Sequence, residues 1–329
     1  MLHRRQFLAG SAALALGSSG FLGFAPAWAQ NAPDLGTPDL PNPGFARLRI
    51  GDVEILAIND GVVRRPLAEG FVRDVPLAQV QSALAEAGLP TTHVDISFTA
   101  FVALLGERRV LMDTGNGQFG APTTGRLLAH LQAAGIAPDS IDTVVITHFH
   151  GDHINGLRNR EGQTPFPKAK VWVPEAEWAY WMDDARMNAA PEGMRGAFQN
   201  VRRVFGPIAG EVQKFAPDAA LMPGLRAVSA HGHTPGMSMF EVSSRGRRFL
   251  NLADLSNIPA LFVRQPDWAV TFDMDPQAAR AVRRKILSMT AQEGVTVGGY
   301  HFPFPAFGTI RARGDGYDFT PTPVLAKAL

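Results

Sequence analysis

The stretch VVITHFHGDHINGL, residues 144–157, sets three histidines and an aspartate within six positions directly behind a β-branched run. Such a run reads as a buried strand, and the residues after it as the loop at the strand's end. His148, His150, Asp152 and His153 can then be turned toward one point, because Gly151 lets the loop bend sharply between them. Imidazole nitrogen and carboxylate oxygen are ligands for first-row metals. An isolated histidine is more often an ordinary polar residue. Three imidazoles and a carboxylate buried together without a cation would leave polar groups unpaired at high cost, so this cluster reads as a metal site.

The chain around it has 329 residues, 46% of them hydrophobic, and a formal charge of +1, enough for the large core of one big domain or two. Its first segment, MLHRRQFLAGSAALALGSSGFLGFAPAWAQ, places a basic start before a small and apolar stretch that ends in Ala27-Trp28-Ala29. This is the pattern of an export signal, with cleavage expected after Ala29. Arg4 and Arg5 followed by Gln6, Phe7 and Leu8 fit the twin-arginine type, which implies a periplasmic or secreted protein. The apolar stretch is rich in glycine and too short to read as a membrane anchor, for which ~20 strongly apolar residues are needed. Loss of residues 1–29 removes Arg4 and Arg5 and no acid, taking the formal charge from +1 to −1. That balance speaks against nucleic acid as a partner, and the arginines of SSRGRRF, residues 243–249, read as a solvated hairpin tip. With no cysteine anywhere, any metal must rest on nitrogen and oxygen.

Residues 30–45 are rich in Pro, Asn and Gly and suggest an extended arm, so the folded domain is expected over 46–329 with no internal boundary. Strand pairs are expected around Gly51-Asp52 and within SFTAFVALLGERRVLMDTG, residues 97–115. TTGRLLAHLQAAGI reads as a helix capped by Thr123 or Thr124, with Leu127, Leu131 and Ala134 on one face and Gly135 as its stop. AKVWV is a strand, PEAEWAYWMDDARM a single helix with Pro174 near its first turn, and GLRAVSAHGHTPG a strand running into a loop. MSMFEVSSRGRRFLNLAD is a hairpin, and DPQAARAVRRKILSMTAQEG a helix with Ala278, Val282, Ile286 and Met289 on one side. VTVGGYHFPFPAFG is a strand and a loop. Strands and helices mixed in this order suggest an α/β sandwich of four layers, with the sheets inside and the helices outside.

HFHGDH resembles the HxHxDH signature of the metallo-β-lactamase superfamily, and the resemblance runs through the mature domain. LMDTG at 111–115 precedes the signature; HGHTPG at 231–236, the aspartate of LNLAD and GGYHFPFPAFG come after it in order. The resemblance implies the αββα sandwich of that superfamily. It implies that His148, His150 and His233 hold one metal, that Asp152, His153 and His301 hold a second, and that Asp254 bridges them. Asp113 would steady the ligand loop. Two divalent ions, zinc before others, are the implied cofactors. Within the superfamily the chain is similar to the family of methyl parathion hydrolase, whose relatives hydrolyse lactones and aryl esters. GRLLAHLQAAG, GQFG and GTIRARGDGYDFTP carry that likeness, and the interiors of 175–215 and 255–275 depart from it.

The expected reaction is hydrolysis of an ester, lactone or phosphotriester by a hydroxide that two metals share, with Asp254 and Asp152 serving the catalytic pair. No serine or cysteine nucleophile is then required, and the chain offers no convincing one. Tyr300 beside His301 is expected to point away from the metals by strand alternation. His93, His130 and His231 stay outside the ligand set. Phe119, Trp181 and Phe198 are expected to wall the substrate pocket, against the alternative that Trp178 and Trp181 are core residues at helical spacing. Other readings are β-lactam hydrolysis without a cysteine ligand, a one-iron sulfur dioxygenase, and a metal-binding protein without activity. The partner is then a small molecule, with no membrane once the leader is removed; a homodimer is compatible with the sequence.

Overall fold

The computed structural model describes residues 35–323. The expected leader, its cleavage point and the first part of the arm lie outside the described residues. The first half of the chain gives β1 (Phe45–Ile50), β2 (Val53–Pro66), β3 (Val72–Arg73), α1 (Leu77–Glu86), β4 (His93–Leu105) and β5 (Arg108–Met112). Then come α2 (Leu127–Ala133), β6 (Thr143–Val145), α3 (Gly151–Ile154), β7 (Lys170–Pro174), α4 (Glu175–Trp181), α5 (Asp184–Ala189), α6 (Glu192–Phe205) and β8 (Gln213–Phe215). The second half adds β9 (Ala220–Met222), β10 (Leu225–Ser229), β11 (Ser238–Ser244), β12 (Arg247–Asn251), β13 (Ala269–Val270) and α7 (Pro276–Glu293). It closes with β14 (Thr296–Gly298), β15 (Phe307–Arg313) and β16 (Gly316–Pro321), the last two forming a hairpin not expected from the sequence.

Two seven-stranded sheets result, ordered β1-β2-β4-β5-β6-β7-β8 and β16-β15-β14-β12-β11-β10-β9, with β3 and β13 pairing separately. Period-two alternation assigns each strand's faces. In β4, Ala100 and Val102 join the core under α1, α2 and α6, while Phe101 and Ala103 face the core shared with the second sheet. Phe101, Phe249 and Phe307 meet there at centroid distances of 5.4 to 5.8 Å. Gly298 lies beneath them; a Cβ there would come within 2.6 Å of Phe101. This is the four-layer α/β sandwich. Among the described residues no helix is long and apolar enough to cross a membrane.

Several local expectations give way to longer-range contacts. Neither Thr123 nor Thr124 caps α2. Asp60 does so from a bulge in β2: its carboxylate accepts from the backbone N–H groups of Leu127, Gly125 and Asn116 and from the Asn116 side chain. The approach is close enough that Gly61, with φ 139°, has room for no Cβ, which would lie 2.2 Å from the Thr123 carbonyl. The single helix expected from Pro174 onward is two, because Asp183 accepts from Arg186 N and starts α5 anew. The buried face of α7 is Ala279, Arg283, Ile286, Leu287 and Thr290, rotated from the expected one so that Val282 and Met289 are only half-buried. From residue 35 the arm has no regular structure, and it is tied to β2 where Leu35 O accepts from Arg64 and Gly44 O from Asn59 N.

Asp60→Ala should leave several buried N–H donors unpartnered. At 1–3 kcal/mol for such a loss it should lower the unfolding free energy by about 3 kcal/mol. A urea titration reads this, and an unchanged midpoint would remove Asp60 from the account of α2.

Candidate metal centre

The ligand loop begins where β6 stops. Thr147 N and Thr147 Oγ1 both donate to Asp113 at 2.8 Å, so the residue before His148 is fixed to the end of β5. Asp113 adopts φ 66°, a left-handed conformation uncommon for a side chain with a Cβ, and is held there by these bonds and by His153 Nδ1 at 2.9 Å. Thr114 N and Oγ1 then donate to the His153 carbonyl. His233 comes from the loop after β10, Asp254 from the end of β12 and His301 from the end of β14.

Two donor groups form. His148, His150, His233 and Asp254 make one, and Asp152, His153 and His301 make the other; within each group the ligand atoms lie within 4.8 Å of one another. His150 Nδ1 is 3.1 Å from His148 Nε2 and 3.0 Å from His233 Nε2. Asp254 touches both groups: one oxygen is 3.2 Å from His153 Nε2, and the other is 3.3 Å from His233 Nε2 and 3.0 Å from His301 Nε2. Asp152 completes the second group, 3.4 Å from His153 Nε2 and 3.5 Å from His301 Nε2.

A cation fits this donor set on three grounds. The outer nitrogens are engaged: Nδ1 of His153 meets Asp113, Nδ1 of His233 meets Asp273 at 2.9 Å, and Nδ1 of His301 meets the Ser97 carbonyl at 2.9 Å. An N–H donated outward leaves the inner Nε2 as a lone pair, the form a metal requires. Second, His153 Nε2 and Asp254 Oδ1 are buried and adjacent yet out of line for a hydrogen bond, so each is without a partner. Third, burial holds the His148 imidazole well below its usual range and takes His150 down to about 3, which keeps both neutral. Burial opposes charge on Asp254, but His301 and His153 beside it hold its carboxyl well below the usual carboxylate range. Burial likewise opposes charge on His233, yet Asp254 and Asp273 raise it to about 9.

Sequence reasoning missed four residues here. Tyr300 does not point away: its hydroxyl donates to the Asp152 carbonyl at 2.6 Å and its ring lies 3.9 Å from that of His153, because β14 ends at Gly298 and alternation no longer applies. Glu177 accepts from Phe149 N, Gly236 N and Trp181 Nε1, tying the 148–150 loop to the one that carries His233. An acid on the apolar face of EAEWAYW was its one available signal. Asp273 lies in the divergent stretch and had none. Thr147, directly before the motif, also meets His148 Nδ1 at 3.0 Å.

The expected aromatic wall is not formed by Trp181 and Phe198. Both are 1% exposed and turn to each other at 4.8 Å inside the core, with Trp181 held by Glu177. Phe119 alone of the three keeps an open face, at 37%, with the Arg203 guanidinium against its ring. His231 is exposed, His93 contacts Thr92, and His130 Nδ1 meets the Asn59 carbonyl; none enters the donor groups.

Residues 93–301 match the family model of the metallo-beta-lactamase superfamily. Of solved structures, AidC, described as a dizinc quorum-quenching lactonase in complex with the product N-hexanoyl-L-homoserine, is 25% identical over 85% of this chain and 98% of its own, with a TM-score of 0.81. The hydrolase AbOPH of the beta-lactamase superfamily is 25% identical over 87% of this chain and 99% of its own, TM-score 0.79. A probable metal-dependent hydrolase from Staphylococcus aureus shares the fold at 19% identity, covering 84% and 100%, TM-score 0.69. No curated protein matches the chain.

Because His233 holds a proton up to about 9 in the metal-free site, a divalent ion must displace it, so affinity should rise with pH through that range. Calorimetric titration with zinc at pH 7.5 in two buffers of different ionisation enthalpy should show net release of about one proton or more. Release of none would contradict a His233 that is protonated before the ion binds.

Proposed function

The chain belongs to the metallo-beta-lactamase superfamily and is a metal-dependent hydrolase; from that premise we propose that it opens lactones, or closely related carboxylic esters, with two divalent ions, zinc the best fit. The observation that carries the reading is the position of Asp254, one carboxylate within 3.3 Å of imidazoles of both donor groups. His148, His150 and His233 would hold one ion, Asp152, His153 and His301 the other, and Asp254 both. Support for the lactone comes from AidC, whose chain is nearly all matched.

When bound, such ions lower the pKa of water from 15.7 toward about 7 and polarise a carbonyl oxygen. The protein's own residues do the rest. Outward hydrogen bonds from the imidazoles fix their planes before substrate arrives, so no reorganisation is required at the moment of reaction. Asp152, its side chain 23% exposed, is more open than Asp254 at 4%. Phe98 sets its ring edge-on to His301 at 5.3 Å, and His301 also lines a cavity with Ser97, Val94 and Ile258. Tyr300 donates its hydroxyl proton to the Asp152 carbonyl at 2.6 Å, and burial drives its pKa well above the usual range, so the phenol stays protonated.

A zinc-loaded sample assayed on an acyl homoserine lactone, a simple γ-lactone, an aryl ester, a phosphotriester and a β-lactam should give its highest kcat/KM on a lactone. Hydrolysis of the phosphotriester or β-lactam with both lactones inert would overturn the assignment. Loss of an orienting partner costs 10–100-fold in such sites, so Asp254→Ala, which removes the shared ligand itself, should cost more than ~100-fold on the lactone. Export through the twin-arginine route belongs to the same proposal: Arg4→Lys with Arg5→Lys should trap precursor in the cell, and full export of that variant would remove the route.

A further inference from the structure

We propose that Arg283 is a positioning residue for the metal ligands, setting His233 and Asp254 against each other through the arms of one guanidinium; the inference rests on the metal reading of the site. Arg283 is 1% exposed on α7, between Ala279 and Ile286, on a face otherwise given to apolar contact. Its Nε donates at 2.6 Å to the carbonyl of Leu255, the residue after Asp254. One terminal nitrogen donates at 3.3 Å to Asp273 Oδ2, and the other oxygen of Asp273 takes His233 Nδ1 at 2.9 Å. The second terminal nitrogen reaches the Pro266 and Trp268 carbonyls, at 3.3 and 2.5 Å.

The geometry closes a loop of dependence. The chain leaves the second sheet at β12, carries Asp254, makes the long excursion through β13 and returns to α7; Arg283 fastens that excursion at its start, middle and end. The His233 loop leans on the same helix entrance, with Met274 N donating to the His233 carbonyl at 3.0 Å and Asp275 N to that of Gly232 at 2.8 Å. His233 and Asp254, which approach to 3.3 Å, are thus both referred to one fixed fork. A lysine could keep the charge beside Asp273 but not the planar fork that spans Asp273, Leu255 and Trp268 together. Burial of an arginine for stability alone is not a sufficient account, since an apolar side chain of similar volume in such a place is often neutral or stabilising.

The test uses the full zinc-loaded protein in four variants: Arg283→Lys, Arg283→Met, Asp273→Asn and the double change Arg283→Met with Asp273→Asn. Ile286→Ala, in the same helix and buried in the apolar core, removes no hydrogen bond of the guanidinium and is the control for damage to α7 alone. Zinc affinity by chelator competition, the visible spectrum of the cobalt-substituted protein, and kcat and KM are read for each. Arg283→Lys should weaken zinc binding by roughly 10–100-fold, the range for lost orienting partners, and change the cobalt spectrum. Ile286→Ala should leave both as in the parent while lowering the thermal midpoint. The double variant should be no worse than the more affected single one, because both act along one chain of bonds. A parent-like affinity and spectrum in Arg283→Lys, or the same loosening in Ile286→Ala, would overturn the proposal; if Arg283→Met does not fold, Arg283→Lys decides alone. Parent protein that takes up no divalent ion would overturn this and the site reading together. Metal uptake without lactone hydrolysis would sink only the substrate assignment.

Discussion

The Asp254 carboxylate, enclosed with His153, His233 and His301 at 3.0 to 3.3 Å, is the constraint on which the rest of the structure depends. Charged and lone-pair-bearing atoms that close together, with water excluded, are costly unless something of opposite charge lies between them. The surrounding protein is arranged to keep them there. Asp113 directly after β5, Asp273 before α7 and the Ser97 carbonyl in β4 each take one outward imidazole N–H. Glu177 then joins the two loops that carry the imidazoles of the first group.

The sandwich supplies the directions. Parallel pairing of β5, β6 and β7 brings the ends of β5 and β6 side by side, so Asp113 and the 148–153 loop start from adjacent strands. In the second sheet the parallel pair β12 and β14 delivers Asp254 and His301 from neighbouring strand ends in the same way. The Phe101, Phe249 and Phe307 cluster holds one sheet to the other behind this meeting point. Close interdigitation of that kind leaves few voids and resists compression, so it holds the two sheets that carry the ligands in a fixed relation.

The ligand loop was legible because its chemistry is local: four donors in six residues, after a β-branched run that reads as a buried strand. Most strands and α2 were legible for the same reason, since alternation and glycine stops are short-range signals. What escaped was whatever two distant segments decide together. The cap of α2 comes from Asp60, far back in the chain, so threonines at good capping spacing were passed over. The face of α7 turned because a guanidinium with five donors found carbonyls and a carboxylate in the excursion before it, and no periodicity in apolar residues encodes that. Trp181 and Phe198 look alike in sequence whether they meet a substrate or each other; burial decided for the core. Tyr300 was misread by carrying strand alternation past the strand's last residue.

Anomalous diffraction at the zinc edge, from crystals of the zinc-loaded protein, tests the central claim most directly. The account requires two peaks, one among His148, His150 and His233 and one among Asp152, His153 and His301, with the Asp254 carboxylate touching both. A single peak, or two with Asp254 bound to only one, would contradict it.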